Sequence, residues 1–381
     1  MKILFPYFAD FGAEDLKKAF EQSGHQVRQF SCSLEDLLSP ELGDTLSREL
    51  ARHPADLLFT FNYYPEAAVF CKDKGLPYVS WVYDCPCVQL FSYTVIFPTN
   101  HIYVFDSDTC DYFRSRGIGT IHFLPMAADP DRLLRVAGQT RPRGHAPVSF
   151  VGSLYTEKHC FYDRMKGLSP YTAGYLEGVM AAQKKLYGCS IIEESLTENI
   201  LEDMYRSLPL EPDRGSTVSR RYLFAQYVIA RRITQTERSE LLELVGKEYP
   251  VDLYTPDPAA RIPGCTNHGP AHSQLAAPAV YGASKISLNI SLRSIVNGIP
   301  LRVFEIMGSG GFALSNYQGD LGLFRIGEEV EVFSSPEELL DKTRFYLSHE
   351  DSRKAIATQG LRRIREEHTY LHRVPALLEA L

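Results

Sequence analysis

The sequence predicts an α/β protein with two doubly wound domains, each built on a parallel sheet. The chain has 381 residues, which is too long for one ordinary hydrophobic core. Short apolar segments alternate with helical segments of about ten residues, and helices of that kind connect parallel strands. The alternation stops at 138–147, which is polar and rich in Pro and Gly, and then begins again. We therefore expect domains at 1–137 and 148–381, joined by a linker at 138–147.

The first domain shows six strand signals separated by helices. Its predicted strands span 2–5, 26–30, 56–61, 77–82, 101–105 and 120–124. Helices are predicted over 14–22, 41–52, 66–74 and 108–116. Gly75 suits the C-terminal cap of the third of these helices. Strands and helices in this order are typical of a Rossmann-like domain.

The second domain repeats the pattern around a helical insertion at about 156–246. Its predicted strands span 148–152, 251–254, 285–290, 311–314 and 329–333. Helices at 335–348 and 351–367, followed by a short one, close the chain. Two doubly wound domains joined by a linker should face each other across a cleft, because such sheets bind ligands at the carboxyl ends of their strands.

Composition and charge narrow the classes of function. Apolar residues make up 44% of the chain and charged residues 23%, which is typical of a globular protein. The formal net charge of −7 argues against a nucleic-acid binder. Residues 1–140 hold 12 Lys and Arg against 18 Asp and Glu, whereas the remainder holds 28 against 29. A phosphate-bearing ligand therefore suits the second half better.

The start of the chain and its cysteines favour a cytoplasmic protein without a bound metal or cofactor. A single lysine and a short apolar run broken by Pro6 do not form a signal peptide, and no run of 18 apolar residues predicts a transmembrane segment. Eight cysteines are scattered along the chain. The close pair Cys85 and Cys87 has no second pair at metal-binding spacing.

The most informative segment runs from Ser287 to Phe312. A strand leads into a loop, and a short helix is predicted to begin near Pro300, which suits the first helical position. Free amides at the start of a helix, together with the helix dipole, form an anion site. The residues predicted to form it are Gly298, Ile299, Pro300 and Leu301.

Charged side chains in this segment complete the predicted nucleotide site. Glu305 lies about one turn into the helix, where its carboxylate can accept hydrogen bonds from both hydroxyls of a ribose. Arg302 or Arg293 could add positive charge against a diphosphate.

Several motifs resemble those of the spore-maturation-like family of bacterial glycosyltransferases. The similar segments are Ser149-Phe-Val-Gly-Ser-Leu-Tyr155, Leu288-Asn-Ile-Ser291, Gly298-Ile-Pro-Leu-Arg-Val-Phe-Glu-Ile-Met-Gly-Ser-Gly-Gly-Phe312, His368-Thr-Tyr-Leu-His-Arg373 and, in the first domain, Trp81-Val-Tyr-Asp-Cys-Pro86. The resemblance implies the GT-B fold and a retaining mechanism. It also implies a uridine diphosphate sugar as donor, and contact of Gly152 and Ser153 with the donor phosphates.

Asn297 departs from the pattern of the broader retaining families. Those families carry two glutamates separated by seven residues, and the first of them touches the transferred sugar. If Glu305 is the second glutamate, Asn297 occupies the first position. An amide can hydrogen-bond a sugar hydroxyl, but it offers no negative charge to a developing oxocarbenium ion.

Four further residues have both a functional and a structural interpretation, and two more have a functional one. Lys158 and Lys285 could neutralise phosphate or be solvated surface charges. Asp84 follows the strand at 77–82, as a catalytic base or acceptor-orienting group should, but it could also form a turn before a proline. Asp106 could bind an acceptor or cap the next helix. Asn62, together with Glu66, is a candidate for acceptor binding.

These observations predict metal-independent transfer of a sugar from a nucleotide diphosphate sugar to an unknown glycan, protein or small-molecule acceptor. Asp84 and Asn297 are the predicted catalytic residues. Three alternatives remain open: a nucleotide-sugar epimerase, a non-catalytic nucleotide-sugar-binding protein in spore or envelope assembly, and a helical interaction module based on the insertion at 156–246.

Overall fold

The chain folds into two compact units. The computed structural model describes residues 1–8, 12–156, 161–213 and 215–379. The first unit comprises Met1–Asp129, Asp213–Thr217 and Glu367–Leu381, and the second comprises Pro130–Pro212 and Val218–Glu366. The boundary therefore falls at Asp129, and the stretch 138–147 predicted as a linker belongs to the second unit.

The first unit is built on a six-stranded parallel sheet. Its strands are β1 (Lys2–Tyr7), β2 (Gln26–Ser31), β3 (Leu57–Phe61), β4 (Tyr78–Val82), β5 (Asn100–Val104) and β6 (Ile121–Phe123). They lie in the order β2-β1-β3-β4-β5-β6, and each neighbouring pair is parallel. All six predicted strands are confirmed, with ends displaced by at most two residues.

Short helices connect these strands. They are α1 (Ala13–Gln22), α2 (Leu34–Leu38), α3 (Leu42–Arg52), α4 (Pro65–Lys74) and α5 (Ser107–Arg114). Helix α4 begins with a proline, whose fixed φ suits the first turn. It ends at Gly75, whose φ of 63° is the left-handed conformation expected of a C-terminal cap. The buried rings of Phe5, Phe59 and Trp81 lie in one apolar cluster of the core.

The second unit also contains a six-stranded parallel sheet. Its strands are β7 (Val148–Val151), β8 (Val251–Tyr254), β9 (Cys265–Asn267), β10 (Ile286–Asn289), β11 (Ala313–Asn316) and β12 (Glu331–Phe333). The order is β12-β11-β10-β7-β8-β9, so the chain moves outward from β7 in one direction and then returns to build the other half. Strands β7 and β10 are therefore neighbours at the switch point, where sheets of this kind bind ligands.

Helices make up most of the remaining second unit. They are α6 (Pro130–Gln139), α7 (Pro170–Lys184), α8 (Ile192–Ser195), α9 (Glu198–Ser207), α10 (Arg220–Leu223), α11 (Ala230–Gly246), α12 (Ala277–Ala283), α13 (Leu301–Gly308), α14 (Pro336–Ser348) and α15 (Glu350–Glu367). A π-helical segment, Phe224–Ile229, joins α10 to α11. The predicted insertion is thus helical, and buried residues such as Leu176, Met204 and Phe224 share an apolar cluster within it.

The last helix, α16 (Tyr370–Leu378), returns to the first unit. The Arg373 guanidinium donates hydrogen bonds to the carbonyl oxygens of Pro125 and Met126 at 2.8 and 2.9 Å. The Tyr103 hydroxyl donates to the carbonyl oxygen of Ala376 at 2.7 Å. The first unit is therefore completed by chain that follows the whole second unit. Of the described helices, none is both long enough and apolar enough to cross a membrane.

Candidate functional site

The switch point of the second sheet brings together the ends of β7 and β10. Strand β7 ends at Val151 and is followed by Gly152, whose amide continues the ladder by donating to the carbonyl oxygen of Tyr254 at 2.9 Å. Strand β10 ends at Asn289, a fully buried residue. Sequence reasoning did not single out Asn289. The available signal for a site residue was a polar side chain at the last position of an apolar strand.

Arg302, in the first turn of α13, extends its guanidinium to this switch point. One of its terminal nitrogens, Nη1, donates to Oδ1 of Asn289 at 2.8 Å, and the guanidinium carbon lies 5.2 Å from the centre of the Phe150 ring. A Cβ placed on Gly152 would lie 2.6 Å from the other terminal nitrogen. A side chain at 152 would displace the guanidinium, so glycine at this position lets Arg302 lie over the end of β7. Gly152, which the resemblance places in contact with the donor phosphates, therefore lies beside this cation.

Helix α13 opens at Leu301, with Pro300 as the residue before its first turn. The amides of Leu301 and Arg302 have no carbonyl one turn back within the helix, so they can bind an anion. Ile299 and Gly298 precede them and are buried. The predicted helix exists, but Pro300 occupies the cap position and not the first helical position.

Glu305 lies one turn into α13 and is buried, with 7% of its surface exposed. Its negative charge acts on the neighbouring Tyr281. Burial is the main cause that raises the pKa of the Tyr281 hydroxyl, Glu305 raises it further, and Arg302 opposes that effect. The carboxylate and the guanidinium therefore act on the same small region of the unit, as a site for a ribose and a diphosphate requires.

Asn297 lies just before the amides at the helix opening. A Cβ placed on Gly319 would be 2.6 Å from Oδ1 of Asn297, so the two residues are in close contact. The carbonyl oxygen of Asn297 accepts a hydrogen bond from the amide of Asp320 at 3.0 Å. The loop after β11 thus holds Asn297 beside the helix opening.

Arg293 has partners that leave no role for it as a phosphate ligand. The side chain is buried and forms an ion pair with the buried Glu237, with Nε donating to Oε2 at 2.7 Å. Its Nη1 donates to the carbonyl oxygen of Leu186 at 2.7 Å, and its guanidinium carbon lies 4.1 Å from the centre of the Tyr187 ring. We therefore leave Arg293 out of the donor site, because its positive charge is already paired with groups of the helical insertion.

One face of α11 holds the loop that follows β10. Thr234, Glu237 and Arg238 are buried and occupy positions i, i+3 and i+4 of the helix. The Thr234 hydroxyl accepts from the amide of Arg293 at 2.9 Å. Arg238 donates through Nε to the carbonyl oxygen of Ile290 at 2.9 Å and through Nη1 to that of Ser153.

Arg238 thereby joins the two strand ends of the switch point, a role that sequence reasoning missed. The available signal was helical spacing, since these three polar residues continue the stripe that Ala230, Ile233, Leu241 and Val245 form on the buried face of the helix.

Ser153, Lys285 and Lys158 differ in where they lie. The Ser153 hydroxyl accepts a hydrogen bond from the amide of Tyr155 at 2.8 Å, within the turn that follows β7. Lys285 is exposed and precedes β10, so it lies at the amino edge of the sheet, opposite to the switch-point ends, and next to the charge of Glu350. We leave Lys285 out of the donor site for that reason. Lys158 lies outside the described residues.

In the first unit, Asn62 and Asp84 meet at the carboxyl ends of β3 and β4. Asn62 donates through Nδ2 to the Asp84 carboxylate at 2.8 Å, and its Oδ1 accepts from the amides of Tyr83 and Asp84 at 2.9 and 3.1 Å. Asn62 has a φ of 59°, a left-handed conformation that asparagine tolerates better than most residues. Glu66 lies nearby in sequence, half-buried in the first turn of α4.

The cysteines beside this pair are not thiolates at neutral pH. Burial, and then the carboxylate of Asp84, raise the pKa of the Cys87 thiol to about 12. Burial, and then Asp106, raise the pKa of Cys85 well above its ordinary value. Neither thiol is therefore poised as a nucleophile. No group of three His, Cys, Asp or Glu side chains suited to a metal occurs in the part of the chain that the structure describes.

Asp106 is the N-terminal cap of α5. It is buried, and its Oδ1 accepts from the amide of Asp108 at 3.1 Å. Its Oδ2 accepts from the Thr109 hydroxyl at 3.4 Å. The structure therefore supports the capping role of Asp106, and we leave this residue out of the acceptor site.

Replacing Asp106 with alanine should lower the free energy of unfolding by about 1 kcal/mol, because the cap is lost. Asp106→Ser, which keeps a capping oxygen, should recover most of that loss. Chemical unfolding followed by circular dichroism measures both changes. If the serine variant is as unstable as the alanine variant, the carboxylate has a role other than capping.

Comparisons with known proteins agree with this architecture. Residues 224–379 match the family model described as glycosyl transferase-like. No curated protein is significantly similar to the chain in sequence.

Several solved structures share its fold. Sucrose-phosphate synthase from Thermosynechococcus elongatus has a TM-score of 0.58 at 10% identity, with 100% of this chain and 98% of that chain covered. The UDP-forming α,α-trehalose-phosphate synthase from Burkholderia vietnamiensis has a TM-score of 0.55 at 12% identity, with 100% and 98% covered. Anabaena HepE, in complex with UDP and glucose, has a TM-score of 0.50 at 12% identity, with both chains covered completely. The fold of this chain is therefore GT-B.

Proposed function

We propose that the chain is a glycosyltransferase that transfers a sugar from a uridine diphosphate sugar. The match of residues 224–379 to the glycosyl transferase-like family model and the GT-B fold support this proposal. In this proposal the carboxyl edge of the second sheet binds the donor, and residues of the first unit bind the acceptor. Two proteins of similar fold carry UDP in their descriptions, and this supports the choice of uridine.

The observation that carries the proposal is the position of Arg302. Its guanidinium lies over the end of β7, bonds to Asn289 at the end of β10, and belongs to the first turn of α13. A diphosphate at the helix opening would meet both the free amides and this cation. Positive charge there stabilises a leaving diphosphate as charge develops on it, which is the task that a metal ion performs in other enzymes. Glu305 would then bind the ribose.

The remaining steps follow from the residues near the helix opening and from the first unit. Asn297 would hydrogen-bond the transferred sugar. The Asn62–Asp84 pair would orient the acceptor hydroxyl, with Glu66 as a further contact. Retention of the anomeric configuration, implied by the sequence resemblance, is part of the proposal, and so is independence from a metal.

A thermal-shift series with UDP, GDP and ADP tests the donor assignment. UDP should raise the melting temperature most, by the mass-action stabilisation that any ligand of the folded state supplies. The same shift should appear with EDTA and with magnesium. A UDP shift that needs magnesium would remove the metal-free part of the proposal, and the absence of a shift with all three nucleotides would remove the donor site. Conversion of a UDP-sugar to its epimer without an acceptor would favour the epimerase.

Gly152→Ala should weaken UDP binding by about tenfold and also lower stability, because side-chain-bearing residues rarely adopt the backbone φ of 157° at this position. The new Cβ displaces the flexible end of Arg302, which costs about one charge-assisted hydrogen bond to the diphosphate. Calorimetric titration with UDP measures the loss. Gly322→Ala is the matched control, because a Cβ at Gly322 has no atom of the described chain within 4 Å. Equal UDP affinity in both variants would mean that Arg302 does not contact the nucleotide.

A further inference from the structure

The charges around the Asn62–Asp84 pair are distributed unevenly between the two edges of the first sheet. Residues 75–113, which include β4 and β5, contain four Asp and neither Lys nor Arg. The nearest basic residues on either side of this stretch lie in the last turns of α4 and α5, and they are Lys72, Lys74 and Arg114. A helix that follows a parallel strand begins at the carboxyl edge of the sheet and ends at the amino edge. These cations therefore lie at the edge opposite to the pair.

The helices that begin at the carboxyl edge have acidic first turns. Glu66 lies in the first turn of α4, shortly after Asn62, and is half-buried. The first turns of α1, α2 and α5 also carry carboxylates, those of Glu14, Asp15, Glu35, Asp36 and Asp108. None of these four described first turns contains Lys or Arg. Carboxylates at a helix start compensate the positive end of the helix dipole, so these helix starts are poorly suited to bind an anion.

Helix α13 of the second unit shows the opposite arrangement. Its first turn has no acidic residue and contains Arg302, which reaches the carboxyl edge of its own sheet. In the proposed function this helix start binds a diphosphate. The chain thus leaves one helix start open to an anion, with a cation beside it, and places carboxylates at the helix starts of the acceptor edge.

Three further basic side chains of the first unit are already paired. The Arg373 guanidinium is buried and donates to two backbone carbonyl oxygens just after β6, at 2.8 and 2.9 Å. Lys17 and Lys18, in the middle of α1, form ion pairs with Glu14 and Asp129 at 3.9 and 3.2 Å. A phosphate group would have to compete with these partners for each of the three cations.

Aromatic rings lie at the same edge as the acceptor pair. Strands β1, β3 and β4 are neighbours, and Phe8, Phe61 and Tyr83 lie at or just after their carboxyl ends. Phe8 is 49% exposed, and Phe61 and Tyr83 are partly exposed with their ring centres 4.5 Å apart. Ring surfaces of this kind pack against the C–H groups of a sugar, whereas burial of a phosphate against them without a partner is costly.

We propose that the acceptor is an uncharged sugar, either free or at the end of a glycan, and that the acidic carboxyl edge of the first sheet excludes sugar phosphates. A phosphate dianion at this edge would be repelled by Asp84 and Glu66. The hydroxyls of a neutral sugar can donate hydrogen bonds to the same carboxylates. This inference rests on the proposed function, because it takes the Asn62–Asp84 pair as the acceptor site, and it deepens that function by naming the class of acceptor.

Binding of the full chain, saturated with UDP, to an array of matched sugars tests the inference. The array holds glucose, galactose, mannose, N-acetylglucosamine and oligosaccharides that end in them, each beside its phosphate ester. The protein should bind at least one neutral member, and it should bind the phosphorylated partner at least about tenfold more weakly, because like charges repel at this edge.

Glu66→Lys should narrow that preference to about threefold or less, because a cation replaces one of the carboxylates at the acceptor edge. Asp73→Lys is the matched control, since it makes the same change of charge at an exposed position in the last turn of the same helix. The two positions are roughly 10 Å apart along α4, more than the screening length of about 8 Å at physiological salt. The control should therefore keep the preference of the wild type. If Glu66→Lys does not fold, as judged by circular dichroism, Glu66→Gln removes the like charge alone and should narrow the preference in the same direction.

Three results would overturn the inference. A phosphorylated sugar bound as tightly as its neutral partner would show that the edge does not exclude phosphate. Binding of UDP together with binding of no neutral sugar would show that the acceptor belongs to another class, and would leave the donor site intact. Equal effects of Glu66→Lys and Asp73→Lys would show that the total charge of the unit, and not the carboxyl edge, sets the preference. Failure of the wild type to bind UDP at all is a different outcome, which would remove the proposed function and this inference with it.

Discussion

Arg293→Met should lower the free energy of unfolding by about 3–5 kcal/mol, the largest stability change that we expect from a single substitution in this chain. The substitution leaves the Glu237 carboxylate buried without its cation, and a buried unpaired charge is far more costly than a lost surface contact. It also removes the shorter of two hydrogen bonds to the carbonyl oxygen of Leu186, which keeps only the bond from Gln183. Chemical unfolding followed by circular dichroism gives the change.

Lys184→Met is the matched control, because it removes an ion pair on the same insertion that is partly exposed. Lys184 contacts Glu240 at 2.8 Å, with 28% and 59% of the two side chains exposed. Pairs of this kind contribute at most about 1 kcal/mol. A double variant that replaces both Arg293 and Glu237 with apolar residues should recover part of the loss, since no buried charge remains. Similar losses of stability in Arg293→Met and Lys184→Met would show that the buried ion pair contributes no more to stability than the partly exposed one.

Glu305→Gln should weaken UDP binding on the order of a hundredfold, because two charge-assisted hydrogen bonds to the ribose become at most one neutral bond. Glutamine has almost the same shape, so packing in α13 should change little. Calorimetric titration with UDP measures the effect, and thermal unfolding of the free protein checks the fold.

Glu331→Gln is a suitable control for this loss. Glu331 is equally buried, in β12, and pairs with Lys342 and the Tyr346 hydroxyl. It should cost stability without changing UDP affinity. A Glu305→Gln variant that binds UDP as tightly as the wild type would exclude Glu305 from the donor site.

Most strands of both sheets could be predicted because they are apolar segments with turn residues at their ends. Strand β9 escaped prediction, since Cys265–Asn267 is short and has no buried residue. Helix α6 was missed because Pro130–Gln139 buries few residues and runs into the stretch whose Pro and Gly content indicated a linker. The position of the unit boundary depends on packing, which local composition does not encode.

The donor segment could be predicted because its parts are close in sequence: a strand end, a glycine, a helix opening and a glutamate one turn later. The role of Arg293 could not, because its partner Glu237 is 56 residues away on the insertion. The exclusion of Lys285 from the donor site could have been predicted from the strand at 285–290. A residue at the start of a parallel strand lies at the amino edge of the sheet, opposite to the edge that binds ligands. Arg238 acts through contacts with segments that are distant in sequence.

The course of the chain between the units has a consequence for biosynthesis and for dissection of the protein. Chain that leaves the first unit at Asp129 rejoins it briefly at Asp213–Thr217 and supplies its last part only from Glu367, so the ribosome must produce more than two hundred residues after Asp129 before that unit can close. A fragment ending near residue 129 would lack α16, so the core around Trp81 would lose the ring of Tyr370 that packs on it and would be open to water. An autonomous version would need residues 1–129 fused to the α16 segment through a flexible spacer.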